Sequence, residues 1–319
     1  DLKTLYFANQ RLFRTTDGGK EWKPISPDLT RRDAGIPANL DPTTAADDYH
    51  VSKRRGVIYS IAPSPLDAKV IWIGTDDGLV WRTADGGAHW SNVTPRALTP
   101  WSKVGGIELS HFRPGVAYVA VDRHRLDDDT PYIYVTRDDG KTWSRADAGI
   151  AHGSFVNVVR EDPVRPGLLY AGTEFGIYVS FDDGARWQSL QQNLPVTSVR
   201  DIDVHGDDLV IATHGRGFWI MDDVSALRQM SAVRPGAVTL FAPAVAIRVR
   251  IADFTGTPMP KDEPLASNPP DGAIIDYVLP DGVSGPVTVT VLDAQGQVVR
   301  RYSSDERVPP VDPATLEYA

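Results

Sequence analysis

The sequence predicts an all-β protein: a β-propeller of four-stranded blades, incomplete in this chain, followed by a small C-terminal β-sandwich. Three observations predict this fold class. A pattern of the form Ser/Thr-x-Asp-x-Gly-x-x-Trp occurs four times. Each copy follows a short run in which apolar and polar residues alternate, the period of a β-strand. Further strand-like runs recur around the copies, and repeated four-stranded units are typical of propeller blades.

The repeated pattern, called the box below, has the chemistry of a tight turn between two strands. Asp and Ser/Thr side chains bond nearby backbone N–H groups, and Gly adopts a positive φ. The Trp begins the next strand and buries a large ring between repeats. We therefore interpret the boxes as structural elements. Their Asp and Trp residues are Asp17 and Trp22, Asp85 and Trp90, Asp138 and Trp143, and Asp182 and Trp187.

Each unit contains four predicted strands, lettered A to D in chain order, with the box in the turn between C and D. Apolar runs that precede the B strands supply the A strands. These runs are Val57–Ala62, Gly106–Ser110, Phe155–Val159 and Val199–Val204. Short loops with Gly separate B from C, and strands this short, broken by Gly, Pro and Asp, are typical of antiparallel sheets.

Five units are predicted between residues 1 and 230. The first lacks an A strand and the fifth lacks a box, so an open array would leave an apolar blade face bare. We therefore expect an incomplete propeller whose remainder comes from sequence upstream of residue 1 or from another chain. The units lie near residues 1–30, 56–94, 104–146, 154–190 and 198–224.

The composition changes after residue 230. Residues 231–270 are predicted to be a linker with a first sandwich strand, and 254–271 is rich in Pro, Gly, Ser and Asp. Strand-like runs within 271–305, with a hairpin turn at Asp293–Gly296, predict part of an immunoglobulin- or fibronectin-like sandwich. Residues 306–319 are expected to form an extended tail.

Composition also excludes several kinds of partner and chemistry. The net charge is −9 and the Lys and Arg residues are scattered, so nucleic acid is not a predicted partner. No apolar run reaches the length of a membrane span. The chain has no Cys, and hence no disulfide or thiolate site. It has no Walker loop, no Gly-x-Gly-x-x-Gly and no His-Glu-x-x-His, and neither a cofactor nor a metal is predicted.

The boxes identify a resemblance to Asp-box (BNR) repeats, which occur in sialidases, xyloglucan-active glycosidases, sortilin-type receptors and photosystem assembly factors. Trp72–Gly78, Gly172–Gly176 and Ala212–Trp219 resemble exported bacterial proteins described as sortilin-like or glycosyl-hydrolase-like. The resemblance covers residues 1–230 strongly and 271–303 weakly. It implies a secreted, periplasmic or cell-surface location.

Strand order separates the two ends of each blade. The B–C loops and D–A links emerge at one end, and the A–B and C–D turns, with the boxes, at the other. The unusual polar residues lie at the first end, on one rim that suits a carbohydrate or peptide site. The candidate catalytic residues are Glu174, Asp76 and Asp77. The candidate ligand-binding residues are Arg123, His124, His214, Arg216, Phe175 and Trp101.

Each candidate also has a structural interpretation. Asp76 and Asp77 would suit a tight turn, Glu174 would suit the cap of a loop or an ion pair with Arg216, and His214 would suit a backbone contact that locks adjacent blades. Three functions therefore stay open. The first is binding of a glycan or peptide on the B–C loop face, and the second is glycoside hydrolysis by a carboxylate pair on that face. The third is a sortilin-like receptor or assembly factor without chemistry.

Overall fold

The computed structural model describes residues 3–37, 39, 53, 56–247 and 272–306. The chain divides into two compact units, Asp1–Val224 and Ser225–Ala319. Small antiparallel sheets make up both units, which confirms the predicted all-β class. Within the described ranges, no helix has the length and apolar character needed to cross a bilayer.

The first unit contains five antiparallel sheets, here called blades 1 to 5. Blade 1 consists of β1 (Leu5–Ala8), β2 (Leu12–Thr15) and β3 (Lys23–Pro24). Blade 2 consists of β4 (Ile58–Pro63), β5 (Ile71–Thr75), β6 (Val80–Thr83) and β7 (Ser91–Asn92). Blade 3 consists of β8 (Lys103–Leu109), β9 (Ala117–Arg123), β10 (Asp128–Thr136) and β11 (Ser144–Arg145). Blade 4 consists of β12 (Val156–Glu161), β13 (Leu169–Thr173), β14 (Ile177–Ser180) and β15 (Gln188–Ser189). Blade 5 consists of β16 (Val199–His205), β17 (Asp208–Thr213) and β18 (Phe218–Met221).

Blades 2 to 5 meet through the first strands of successive blades. Strand β4 lies beside β8, β8 beside β12, and β12 beside β16. In blades 2 to 5 the first strand is therefore the innermost, and the later strands lie progressively further out. This radial order is the arrangement of propeller blades.

Blades 1 and 5 have three strands each among the described residues. In blade 1 the carbonyl of Lys3 accepts the N–H of Gly18 at 3.0 Å, as the carbonyl of Lys69 accepts the N–H of Gly86 at 2.9 Å in blade 2. Lys3 thus occupies the A–B turn position, so β1 to β3 correspond to strands B to D. In blade 5, β16 to β18 correspond to strands A to C.

The box turns share one hydrogen-bond pattern, which the third box illustrates. The Thr136 hydroxyl donates to Asp138 Oδ1 at 2.8 Å and accepts the N–H of Gly140 at 2.9 Å. Asp138 Oδ1 also accepts the N–H of Thr142 at 2.8 Å. Asp139, which follows the box Asp, and the box residue Gly140 have positive φ values of 61° and 82°. Gly adopts a positive φ without steric cost, which explains why the motif has Gly at this position.

Three of the four box tryptophans join neighbouring blades. Their indole N–H groups donate to a carbonyl just after the last strand of the preceding blade: Trp90 to Ile25 at 2.9 Å, Trp143 to Val93 at 2.8 Å and Trp187 to Ala146 at 2.7 Å. The apolar clusters of the first unit also lie between blades, as where Val135 of blade 3 meets Leu169 of blade 4. Stability therefore resides largely in the junctions.

The box aspartates should contribute stability that depends on pH. Hydrogen bonds from the Thr142 side chain and backbone lower the pKa of Asp138 to about 2. A carboxylate with a lowered pKa stabilises the fold above its ordinary pKa of about 3.9, and that contribution is lost as the pH falls towards 2. Asp138→Ala is therefore expected to lower the Tm at pH 6, with a difference from wild type that shrinks below pH 3.

The control for this experiment is Asp203→Ala, since Asp203 is exposed and makes no side-chain hydrogen bond among the described residues. Thermal unfolding of wild type and both variants at a series of pH values measures the effect. A Tm difference for Asp138→Ala that stayed constant down to pH 2 would contradict a stabilising carboxylate.

The second unit begins with α1 (Ser225–Gln229) and a 3₁₀ turn (Met230–Ala232). Among its described residues it has two two-stranded sheets. One pairs β19 (Thr239–Leu240) with β20 (Tyr277–Val278), and the other pairs β21 (Thr288–Leu292) with β22 (Val298–Ser303). The predicted hairpin turn joins β21 and β22, where the N–H of Asp293 donates to the carbonyl of Gln297. Most of the predicted linker, and the predicted tail beyond Glu306, lie outside the described residues.

Candidate functional site

The B–C loops and D–A links meet at one end of the first unit, called the loop face below. In three blades the first residue of the B–C loop donates its N–H to a carbonyl in the link that leads into strand A. These bonds, of 2.8 to 3.0 Å, join Asp76 to Val57, Glu174 to Phe155 and His214 to Ser198. Rigid strands therefore hold the loops of successive blades at fixed positions on the loop face.

Asp77 is fully buried in the B–C loop of blade 2. Its Oδ1 accepts the Thr75 hydroxyl at 2.5 Å, and its Oδ2 accepts the backbone N–H of Arg31 at 2.8 Å. The Arg31 guanidinium donates to the carbonyls of Asp77 and Gly78, at 2.8 and 3.1 Å. Burial raises the pKa of Asp77, and the hydrogen bonds from Thr75 and Arg31 oppose that rise. Both carboxylate oxygens are thus occupied within the fold.

Asp76 holds the same loop from its other side. Its Oδ1 accepts the N–H of Val57 at 2.7 Å, and its Oδ2 lies 3.3 Å from a guanidinium nitrogen of Arg125. That guanidinium lies over the ring of Trp101, 5.6 Å from its centre. Trp101 is only 6% exposed and donates its indole N–H to the carbonyl of Gly35. Its ring therefore supports the loop instead of presenting a face to a ligand.

In blade 3, His124 is oriented by a buried carboxylate. Asp122 Oδ1 lies 2.6 Å from His124 Nδ1, and the ammonium of Lys103 lies 3.7 Å from Asp122 Oδ2. The imidazole stacks on Phe155 with ring centres 5.4 Å apart. The carboxylate occupies Nδ1, and Nε2 makes no hydrogen bond among the described residues.

Arg123 lies in the same hairpin, and contacts within that hairpin hold its side chain. Its guanidinium lies 3.4 Å from Asp128 Oδ2 and 5.3 Å from the centre of the Tyr132 ring. Arg145 lies over the same ring at 4.3 Å. Arg123 is therefore packed along its own blade, whereas its neighbour His124 reaches the loop face.

Glu174 lies in a polar network that joins blades 4 and 5. Its Oε2 accepts the Ser198 hydroxyl at 2.7 Å and lies 3.4 Å from a guanidinium nitrogen of Arg200. The side-chain amide of Asn157 donates to the same oxygen at 3.5 Å and to the Val199 carbonyl at 3.1 Å. The ion-pair partner of Glu174 is thus Arg200, and the expected pair with Arg216 was wrong. Arg200 reaches Glu174 from strand β16 of the next blade.

Three of the candidate residues are exposed on the loops of blades 4 and 5. Phe175, beside Glu174, is 55% exposed. His214 and Arg216 are also exposed, and their hydrogen bonds in the described structure go through their backbone: the Thr197 hydroxyl donates to the His214 carbonyl, and the Trp219 indole to the Arg216 carbonyl. Their side chains are therefore available to a ligand.

A groove of about 590 Å³ runs along the innermost strands β4, β8, β12 and β16. Asn157 and Arg200, the partners of Glu174, belong to its lining, so the Glu174 network lies at the groove. Further along the groove Arg160 bridges Glu108 and Asp201, at 3.7 and 2.6 Å. The lining residues that carry polar side chains are Tyr59, Ser60, Glu108, His111, Asn157, Arg160, Arg200 and Asp201.

The groove residues were not predicted from the sequence, because the predicted site residues all come from the loops and links between strands. A signal was present: Glu108, Arg160 and Arg200 are charged residues within the first strands of blades 3, 4 and 5. Since side chains alternate across a strand, such residues point away from the packed face. In the part of the chain that the structure describes, no cluster of three or more His, Asp or Glu side chains could hold a metal ion.

No protein-family profile and no curated protein matches the chain. It is similar to solved structures. The structure of YCF48 from Cyanidioschyzon merolae matches 53% of this chain and 53% of that chain, at 18% identity and a TM-score of 0.39. The GH74 enzyme of Niastella koreensis matches 69% of this chain and 33% of that chain, at 15% identity and a TM-score of 0.42. An ancestral GH74 enzyme matches 95% of this chain and 37% of that chain, at 15% identity and a TM-score of 0.47. The chain thus spans about half of the YCF48 chain and about a third of the two GH74 chains.

Proposed function

We propose that this chain is a binding scaffold that holds a peptide where the groove meets the loop face, at Glu174 and Arg200. One observation carries the proposal. A carboxylate, a guanidinium and a side-chain amide, those of Glu174, Arg200 and Asn157, meet at a groove of about 590 Å³. A peptide offers both N–H donors and carbonyl acceptors at short intervals, and such a lining can satisfy both. Exposed Arg216 and Phe175 extend the same surface with a charge and an aromatic ring.

A glycan is the second candidate ligand. Sugar rings stack on exposed aromatic faces, and Tyr59 and Phe175 are 54% and 55% exposed. Two aromatic rings among many charged groups favour a peptide over a glycan. Both candidates use the same surface, so one set of variants tests both.

Hydrolysis of a glycoside would need an acid and a second carboxylate on either side of the scissile bond. Asp76 and Asp77 have their oxygens bonded to the loops that they hold, and Glu174 is paired with Arg200. These roles favour binding without chemistry for this chain. A receptor or assembly factor of the sortilin-like type would fit the same site.

The scaffold itself is proposed to be an incomplete β-propeller of Asp-box blades, in an exported protein, with an immunoglobulin-like sandwich in residues 271–305. The sheets of blades 1 and 5, each with three strands among the described residues, support the incomplete ring. The pairing of β21 with β22 supports the sandwich. The rest of the ring would come from upstream sequence or another chain.

Arg216→Ala is expected to weaken ligand binding about tenfold or more, because a hydrogen bond to a charged group contributes about 1.5–3 kcal/mol. The fold should be unaffected, since the Arg216 side chain is exposed. Hits from a synthetic peptide library and a glycan array, followed by titration in solution, measure the change. Phe175→Ala is expected to weaken the same hits.

The matched control is Arg186→Ala, which removes another exposed arginine, from a box turn at the opposite end of blade 4. Loss of binding in Arg216→Ala and Phe175→Ala, but not in Arg186→Ala, would support the loop face. Equal binding by all three variants would remove the loop face as the site. Turnover of a glycan that Glu174→Gln abolishes would establish hydrolysis instead.

A further inference from the structure

A hollow of about 760 Å³ lies between the fourth strand of blade 2 and the third strand of blade 3. One wall consists of residues 92–97, where blade 2 ends and the link to blade 3 begins. The other wall consists of Tyr134 and residues 140–143 of the third box. The hollow shares no lining residue with the groove along the innermost strands. Its volume is in the range of about 300–1,000 Å³ that is typical of small-ligand pockets.

The hollow exists because the junction between blades 2 and 3 is less tightly closed than the next one. At the junction of blades 3 and 4, the backbone N–H of Trp187 donates to the carbonyl of Ala148 at 2.8 Å. The equivalent carbonyl belongs to Pro95, which lies two residues after the acceptor of the Trp143 indole. Among the described residues Pro95 accepts the N–H of Leu98 instead, at 3.0 Å. The link thus turns away from the ring of Trp143, which is half-buried and lines the hollow.

One polar group on the wall of the hollow, the hydroxyl of Tyr134, has no hydrogen-bond partner among the described residues. Tyr134 is only 6% exposed. In blade 4 the equivalent residue is Tyr178, whose hydroxyl accepts the N–H of Ala151 at 3.3 Å. Burial raises the pKa of Tyr134, so its hydroxyl keeps the proton and can donate it to an acceptor. Because buried hydroxyls normally have a partner, a ligand in the hollow would supply the one that the fold does not.

The charged side chains that line the hollow are both cations, Arg96 and Lys141. Both are exposed, and neither forms an ion pair within the part of the chain that the structure describes. No carboxylate belongs to the described lining, although the chain has a net charge of −9. The side-chain oxygen of Asn92 accepts the N–H of Thr94 at 3.0 Å, which leaves the amide NH₂ group as a further donor. The lining therefore offers donors and positive charge to an anion.

We propose that this hollow binds an acidic sugar unit of a polysaccharide, with the sugar ring against Trp143 and the anionic group at Arg96 and Lys141. The indole ring offers a large apolar surface to the C–H groups of the sugar. Tyr134 and Asn92 would donate to sugar oxygens. An acidic peptide suits the lining less well, because its backbone N–H groups need acceptors, whereas a sugar hydroxyl can accept as well as donate. The inference does not depend on the ligand proposed for the groove.

Calorimetric titration of the whole chain with tetramers of galacturonic acid, glucuronic acid and sulfated galactose tests the proposal. At least one tetramer is expected to bind, and the comparison of the first two with the third distinguishes a carboxylate from a sulfate. The uncharged forms, which are the methyl esters and the unsulfated tetramer, keep the rings. They are expected to bind at least about tenfold more weakly, because hydrogen bonds to a charged group are the stronger ones. A tetra-aspartate peptide, which has the charge without the rings, should not bind.

Three variants locate the binding. Arg96→Ala and Lys141→Ala are each expected to weaken it about tenfold or more, since each removes a charge-assisted hydrogen bond. Tyr134→Phe should weaken it about threefold or more, the effect of one ordinary hydrogen bond, and should leave the Tm unchanged because the fold does not use this hydroxyl. The control, Arg186→Ala, removes an exposed arginine from the equivalent box turn of blade 4 and should bind like wild type.

Each outcome decides a separate part of the proposal. Binding by none of the acidic tetramers would overturn it, as would unchanged affinity in both Arg96→Ala and Lys141→Ala. Equal affinity for the charged and uncharged tetramers would overturn recognition of the anion. Equal affinity for tetra-aspartate would overturn recognition of a sugar. A lower Tm for Tyr134→Phe would show that the fold uses the hydroxyl, and would remove Tyr134 from the site.

Discussion

Trp187→Ala is expected to destabilise the first unit by about 3–5 kcal/mol, the usual cost of removing a buried tryptophan. Trp187 is 3% exposed, packs in the cluster between blades 3 and 4, and donates its indole N–H to the Ala146 carbonyl at 2.7 Å. The substitution leaves a cavity in a junction and a carbonyl without its donor. Both effects act at a place where each blade depends on its neighbour.

The matched variant is Trp22→Ala, which changes the same motif position in blade 1. Trp22 is 40% exposed and makes no indole hydrogen bond among the described residues, so its loss should cost far less. Urea unfolding of both variants at a protein concentration where wild type is monomeric gives the two free energies. Equal losses would contradict the view that box tryptophans stabilise through the junction with the preceding blade. They would point instead to a role of the ring within its own turn.

The blades could be predicted from the sequence because each box forms its hydrogen bonds within a single turn. The Ser/Thr hydroxyl, the Asp carboxylate and the Gly of one box lie within a few residues of one another, and their hydrogen bonds form inside one turn. Strand order then follows from the antiparallel connection of neighbouring strands.

The partners of the site residues could not be predicted in this way, since they come from distant parts of the chain. Arg31 reaches Asp77 from 46 residues away, and Arg200 reaches Glu174 from the next blade. Arg216 lies in the B–C loop of blade 5, as Glu174 lies in that of blade 4, but the Arg216 side chain is exposed and Arg200 is the partner of Glu174. Trp101 was predicted to bind a ligand, whereas a positive φ of 66° and a bond to Gly35 hold it inside the loop face. Contacts between blades depend on the register of whole strands, which short motifs do not encode.

Asp77→Ala is expected to destabilise the protein by about 2–6 kcal/mol, because a buried and a half-buried donor lose their acceptors at about 1–3 kcal/mol each. The donors are the Thr75 hydroxyl and the Arg31 backbone N–H. Asp77→Asn keeps one acceptor oxygen and should lose about half as much. The exposed Asp129, in the B–C hairpin of blade 3, provides the control Asp129→Ala, which should leave stability unchanged.

The dependence on pH separates this structural role from a catalytic one. Because burial raises the pKa of Asp77, the folded state retains its proton to a higher pH than the unfolded state does. Ionisation of Asp77 therefore lowers stability as the pH rises through the interval just above its ordinary pKa, about 3.9. Asp77→Asn cannot ionise, so its stability relative to wild type should improve across that interval in urea unfolding. A variant that was as stable as wild type at every pH, yet had lost turnover of a glycan substrate, would make Asp77 a catalytic acid and overturn its assignment as the residue that holds the blade 2 loop.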